Sequence, residues 1–151
     1  MIEYKVKVHD NGDRQWFINE QLHRVDGPAI EWPSGAKSWY LNGELHKVDG
    51  PAIELSSGNK EWYLNGELHR EDGPAVELAD GSKKWFINDK LHREDGPAVE
   101  LTNGHKAWWI NGEQLTEKEF LQRTSKYTII IDGKEIQISE ESFQNLKQSL
   151  K

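Results

Sequence analysis

Apolar and polar positions along residues 14–111 recur with a period of 23, a spacing far longer than that of any single helix or strand. Residues 62–75 read WYLNGELHREDGPA. Related segments begin at Trp16, Trp39 and Trp85, and a fifth start at Trp108 breaks off after Asn111-Gly112. Each copy holds two short strand candidates. In the first, Trp62 and Leu64 fall on one face and Tyr63 on the other, because side chains alternate along a strand. It runs over residues 60–65 and ends in Asn-Gly (Asn42-Gly43, Asn65-Gly66, Asn111-Gly112), the two-residue signal of a type I′ hairpin with positive φ at both positions. Glu20 and Asp89 stand where two copies would have that glycine. Asp tolerates the left-handed region, whereas Glu20 is expected to carry strain or open its turn.

The second strand candidate follows the Asp-Gly-Pro block, at residues 29–32, 52–55, 75–78 and 98–101. A three-residue loop ending in Gly35, Gly58, Gly81 or Gly104 then leads to the next aromatic strand, with that glycine left-handed in a bulge. This register sets Glu31 across from Lys37, Glu54 from Lys60, Glu77 from Lys83 and Glu100 from Lys106. It also brings Ala29, Ala52, Ala75 and Ala98 opposite Trp39, Trp62, Trp85 and Trp108.

Residues 3–9 align with a second strand and Asn11-Gly12 with its loop, so the array is expected to begin with an atypical half-repeat that caps it. After residue 115 the pattern changes. Thr116 with Glu119 forms a capping box for a short helix, Asp132-Gly133 marks another hairpin, and Ser139 caps a helix in which Phe143, Leu146 and Leu150 share a face. No single hairpin buries its own aromatics, so neighbours must stack. The expected fold is an all-β array of consecutive antiparallel hairpins, an elongated sheet or a solenoid, over residues 1–115. A small α+β cap of helix, hairpin and helix follows over residues 116–151. The exposed face of the last helix alternatively serves a homodimer.

Composition changes this picture in two ways. Hydrophobic residues make up only 35% of the chain, yet five of its seven Trp are placed by the repeat, which suits a thin continuous core. The net charge of −7 lies wholly in the repeats, since residues 116–151 hold six basic and six acidic side chains. An acidic array is a poor partner for nucleic-acid phosphates or anionic lipid and suits a basic protein surface. The absence of cysteine excludes disulfides and thiolate metal sites. With no apolar signal segment or membrane-length run, the expectation is a cytoplasmic protein.

The candidate chemistry is repeated too. His23/Asp26, His46/Asp49, His69/Asp72 and His92/Asp95 have the spacing of a metal pair or an acid–base pair, but a catalytic site is needed once and a structural bond in every copy. The expectation is that each Asp closes an Asx-type turn and each His bonds neighbouring backbone, with no metal, cofactor or catalytic residue. His9 and His105 stand outside that pattern and are the candidates for a hydrolase. Trp16, Trp39, Trp62, Trp85 and Trp108 are assigned to the framework. Phe17, Tyr40, Tyr63, Phe86 and Trp109 on the second face either line the core or form an aromatic stripe for stacking. Together with Glu31, Glu54, Glu77 and Glu100 they are the candidate partner-binding residues. Phosphate loops, nucleophile elbows and HExxH or calcium-loop spacings are absent from the sequence.

The period, the aromatic strand and Asn-Gly-x-x-His (Asn42, Gly43, His46; Asn65, Gly66, His69) make residues 3–115 resemble MORN-type repeats. Here Arg or Lys follows the His, and Asp-Gly-Pro-Ala replaces the second glycine. The pattern is more similar to WYLNGxLHRxDGPA repeats of phage and large-virus proteins. The resemblance implies a non-catalytic scaffold that binds a protein partner, and for a viral protein an inhibitor of a host defence component in the host cytoplasm. The alternative is a binder of glycans, nucleotide signals or other small molecules through the aromatic stripe.

Overall fold

A computed structural model describes residues 1–151. An antiparallel sheet runs along the repeats, its strands neighbouring in chain order: Lys5–Val8, Arg14–Ile18, Ile30–Glu31, Lys37–Ser38, Ile53–Glu54, Lys60–Glu61, Val76–Glu77, Lys83–Lys84, Val99–Glu100, Lys106–Ile110 and Glu113–Leu115. Beside it stand three ribbons: Tyr40–Leu41 with Glu44–Leu45, Tyr63–Leu64 with Glu67–Leu68, and Phe86–Ile87 with Lys90–Leu91. The chain is therefore an all-β hairpin array followed by a helix–hairpin–helix segment.

The expected register is present: Glu31 pairs with Lys37, Glu54 with Lys60, Glu77 with Lys83 and Glu100 with Lys106. Gly35, Gly58, Gly81 and Gly104 have φ of +88°, +95°, +93° and +89°, the left-handed position of a bulged three-residue loop. The other row of turns has positive φ at both central positions, for example +51° at Asn42 and +80° at Gly43, as a type I′ turn requires.

One expectation needs correction. The aromatic strand is not continuous over residues 60–65, because Trp39, Trp62 and Trp85 fall between strand segments. Upstream of Trp62 the chain pairs with Val76–Glu77, and downstream with Glu67–Leu68. The Trp62 N–H donates to the Ala75 carbonyl and its own carbonyl accepts from the His69 N–H, at 2.8 and 3.0 Å. Each such Trp is thus the point where the chain changes partner.

The ribbons form a second ladder. The N–H groups of Gly43, Gly66, Asp89 and Gly112 donate to the carbonyls of Leu22, Leu45, Leu68 and Leu91 in the preceding hairpin. Asp89 compensates for its left-handed φ of +62° with a further bond, its Oδ1 accepting from the Leu68 N–H at 2.7 Å. Glu20 keeps its turn closed at φ +64° and has no preceding hairpin to bond. Glu20→Gly is therefore expected to raise stability by about 1 kcal/mol, relieving the left-handed strain of an L-residue. An upward shift of the urea midpoint at constant slope is the result to look for.

Only 12 of 151 side chains are buried, so the core is a seam rather than a centre. Ala29, Ala52, Ala75 and Ala98 are fully enclosed, while Ile30, Ser38, Val76 and Ala107 are buried within strands and Ala36 and Ser82 just ahead of them. At the C-terminal end α1 (Glu117–Thr124) begins with the expected Thr116/Glu119 capping box. Phe120 at 3% exposure and Leu115 at 6% seal the last hairpin. Arg123 grips Glu113 with two bonds of 2.8 and 3.0 Å, holding that carboxyl below its usual range. The hairpin Lys126–Ile131/Lys134–Ser139 and α2 (Glu140–Ser149) pack on each other through the stacked Tyr127 and Phe143 rings, 4.3 Å apart. Of the expected apolar stripe on α2 only Phe143 is covered, and Leu146 and Leu150 are exposed.

Candidate functional site

The repeat's most connected side chain is one that sequence reasoning passed over, the basic residue after each His. The Arg24, Arg70 and Arg93 guanidinium carbons lie 4.1, 4.1 and 3.9 Å from the ring centroids of Trp16, Trp62 and Trp85, and Lys47 Nζ lies 3.7 Å from that of Trp39. In the same Arg residues Nε donates to Asp26, Asp72 and Asp95 at 2.7–2.9 Å. Their Nη1 donates to the carbonyls of Pro28, Pro74 and Pro97 and to Glu31, Glu77 and Glu100. One planar fork thus holds the indole, the turn and the second strand together, a geometry that guanidinium supplies and ammonium does not.

These contacts correct the expectation for the Asp row and show what the Glu row does within the fold. Asp26, Asp72 and Asp95 receive the Arg Nε, where an Asx-type turn was expected, and the Arg70 hydrogen bond holds the Asp72 carboxyl below its usual range. Glu31, Glu54, Glu77 and Glu100 are half-buried, each paired with the basic residue seven positions earlier. They brace the repeat while about a third of each side chain stays exposed, and the cross-strand lysines stand beside them without taking their carboxylates. The signal was legible: a cation occupies the same place in four copies, two residues before an Asp and seven before a Glu.

Lys47 completes only part of this pattern, reaching Glu54 at 3.8 Å. Lys47→Arg is expected to add about 1 kcal/mol by supplying the missing bond to the Pro51 carbonyl and a closer pair with Glu54. Thermal melting should rise, with the far-UV spectrum unchanged.

The His row bonds neighbouring backbone as expected. The N–H groups of Asn42, Asn65, Asn88 and Asn111 donate to Nδ1 of His23, His46, His69 and His92 at 3.0, 3.1, 3.3 and 3.0 Å. Each ring links its own hairpin to the turn of the next. In His23 and His69 Nδ1 also lies 3.0 and 2.8 Å from the Oδ1 of Asn42 and Asn88, whereas in His46 and His92 it only accepts, which puts the ring proton on Nε2. In His69 and His92 that atom lies 3.6 and 3.8 Å from Glu71 and Glu94. In each His and Asp pair an Arg or Lys follows the His in the chain, and no group of three or more His, Asp or Glu side chains comes together in metal-binding geometry. His105 and His9 are exposed in their loops, with the His105 N–H held by Asn103 Oδ1.

Phe17, Tyr40, Tyr63, Phe86 and Trp109 are half-buried. Burial pushes the Tyr40 and Tyr63 hydroxyls up from their ordinary range, and for Tyr63 a hydrogen bond to Glu61 adds to it. Lys7 Nζ sits 4.6 Å from the Phe17 ring centroid, and the buried Trp109 Nε1 has no hydrogen-bond partner. Access lies on the opposite face. Between consecutive His-Arg/Lys-x-Asp-Gly loops run three equivalent grooves floored by Trp39 and Leu41, by Trp62 and Leu64, and by Trp85 and Ile87. Their walls hold His46, His69 and His92 with the basic residues behind them. A further cleft lies between the two C-terminal helices, but its lining is wholly polar and includes Arg123, already engaged by Glu113.

Charge is layered across these loops. Arg24, Lys47, Arg70 and Arg93 are only 20–23% exposed, whereas the Asp26, Asp72 and Asp95 side chains are 70–85% exposed and Glu71 reaches 86%. Cations lie beneath and carboxylates face water. No helix is long and apolar enough to cross a membrane. No protein-family model and no curated protein matches the chain.

Proposed function

We propose that this is a non-catalytic, MORN-like repeat scaffold that binds a basic protein surface along its row of loops. The observation that carries this reading is the layering of charge: each repeat buries its cation against an indole and presents carboxylates outward. An anionic row attracts cationic surfaces, speeds their encounter and repels nucleic-acid phosphates and anionic membranes. Repetition multiplies weak contacts, so the affinity comes from the number of loops engaged rather than from any one. For a viral protein the target is a host component.

The test is a comparison of folded basic and acidic proteins as partners. Carboxyl-directed cross-linking to a basic protein should map to Asp26, Asp49, Asp72, Asp95, Glu71 and Glu94, and affinity should fall steeply with salt. Cross-links confined to the C-terminal segment, or affinity independent of salt, would remove the proposal. A second reading, a glycan or nucleotide-signal binder, draws on the Trp-floored grooves. It requires a change in tryptophan emission with such ligands that salt leaves untouched.

A further inference from the structure

The three grooves are equivalent by construction, so their spacing selects what can fill them together. Each repeat adds two strands to the long sheet, for example Ile53–Glu54 and Lys60–Glu61. Strands lie ~4.7–4.9 Å apart, so successive grooves are separated by about 9.5 Å along the array. A polyproline II helix advances ~3.1 Å per residue with three residues per turn, so it presents the same face every ~9.3 Å. A β-strand peptide covers a similar distance in three residues but alternates faces, so its third residue points away from the groove. We infer that the loop row is a docking track for a cationic polyproline II segment, with a basic residue at every third position. This rests on the basic-partner reading above and specifies its occupant.

The chemistry of the groove fits this occupant. Indole and aliphatic floors such as Trp62 with Leu64 match proline rings, as in aromatic-lined grooves that read proline-rich peptides. Polyproline II leaves its backbone carbonyls unpaired, and His46 and His92 in the groove walls carry their ring proton on Nε2 as a donor. The outward carboxylates of Asp49, Glu71, Asp72 and Glu94 meet a cation spaced one per turn. The segment has no internal hydrogen bonds, so it follows the twist of the array without breaking any.

Titration of the full chain with (Pro-Pro-Arg)3, followed by calorimetry and tryptophan emission, tests the inference. The control is an isomer of the same composition with its three arginines adjacent. The regular peptide should bind at least tenfold more tightly than the isomer. Affinity should rise at least tenfold from one to three triplets and level off beyond three, since there are three grooves. Val48 is 81% exposed and borders two grooves, so Val48→Arg should weaken binding at least tenfold with the melting temperature unchanged. Glu71→Gln with Glu94→Gln should do the same through lost charge alone. Equal binding of the two isomers, or undiminished binding by Val48→Arg, overturns the three-residue register. If neither peptide binds while a folded basic protein still cross-links to the loops, the track is wrong and the basic-partner scaffold stands. If nothing basic binds and an oligosaccharide perturbs the indoles, both are overturned.

Discussion

Ala75→Leu is expected to destabilise the protein by at least about 3 kcal/mol, more than a hundredfold in the folding equilibrium. Ala75 is fully enclosed. Its carbonyl accepts from the Trp62 N–H at 2.8 Å, and the pairing of Val76 with both Glu61 and Lys84 places it between Trp62 and Trp85. Overpacking of a closed site usually costs ~1–3 kcal/mol, and this one has rigid indoles on both sides with backbone ladders fixing their separation. The damage also crosses two repeat boundaries, and in a linear array each unit depends on its neighbours. Urea unfolding measures it, with Ala79→Leu at an exposed loop position as the control expected to lie within about 0.5 kcal/mol of the parent. Equal behaviour of the two variants would mean that the alanines are spacers without packing constraint.

Arg70→Ala should cost about 2–3 kcal/mol. The substitution removes the stack on Trp62 (~0.5–2 kcal/mol), the charged bond to the Pro74 carbonyl and the half-buried pair with Glu77. The bond to the exposed Asp72 adds little, being open to solvent. Arg70→Lys should lie between, near 1 kcal/mol, because an ammonium keeps the stack and Glu77 but not the fork. Lys47 is the natural version of that intermediate. Denaturant midpoints for the pair of variants decide it. If Arg70→Lys costs as much as Arg70→Ala, the fork and not the stack holds the turn.

How much of this was legible beforehand follows from which contacts are local. The type I′ turns, the bulged glycines, the strand register and the capping box of α1 are set by residues a few positions apart, and all could be read from the chain. The His-to-Asn bonds span 19 residues yet were foreseeable, because a role repeated in every copy must be structural. The break of the aromatic strand at Trp was not. A Trp suits a strand interior as well as its end, and only the competing claims of the Ala75 carbonyl and the His69 N–H show where the partner changes. Arg24, Lys47, Arg70 and Arg93 were passed over because a surface cation is ordinarily solvated. Their role depends on an indole eight residues earlier coming beneath them. Once that cation is in place, the Glu row is tied into the repeat, and the outer Asp and Glu are the groups that the proposed partner would meet.

The two ends of the array are unlike. Phe120 and Leu115 shut one of them, while the strand Lys5–Val8 has a single neighbour and turns its outer backbone to water. Lys5 and Lys7 on that margin discourage a second chain from joining it. The array is therefore a rod with a helical stopper after its last hairpin and a lone half-repeat strand before its first. Gain or loss of a whole 23-residue unit would lengthen or shorten the rod without disturbing either terminus, so the reach of such a protein can change in steps while its chemistry stays the same.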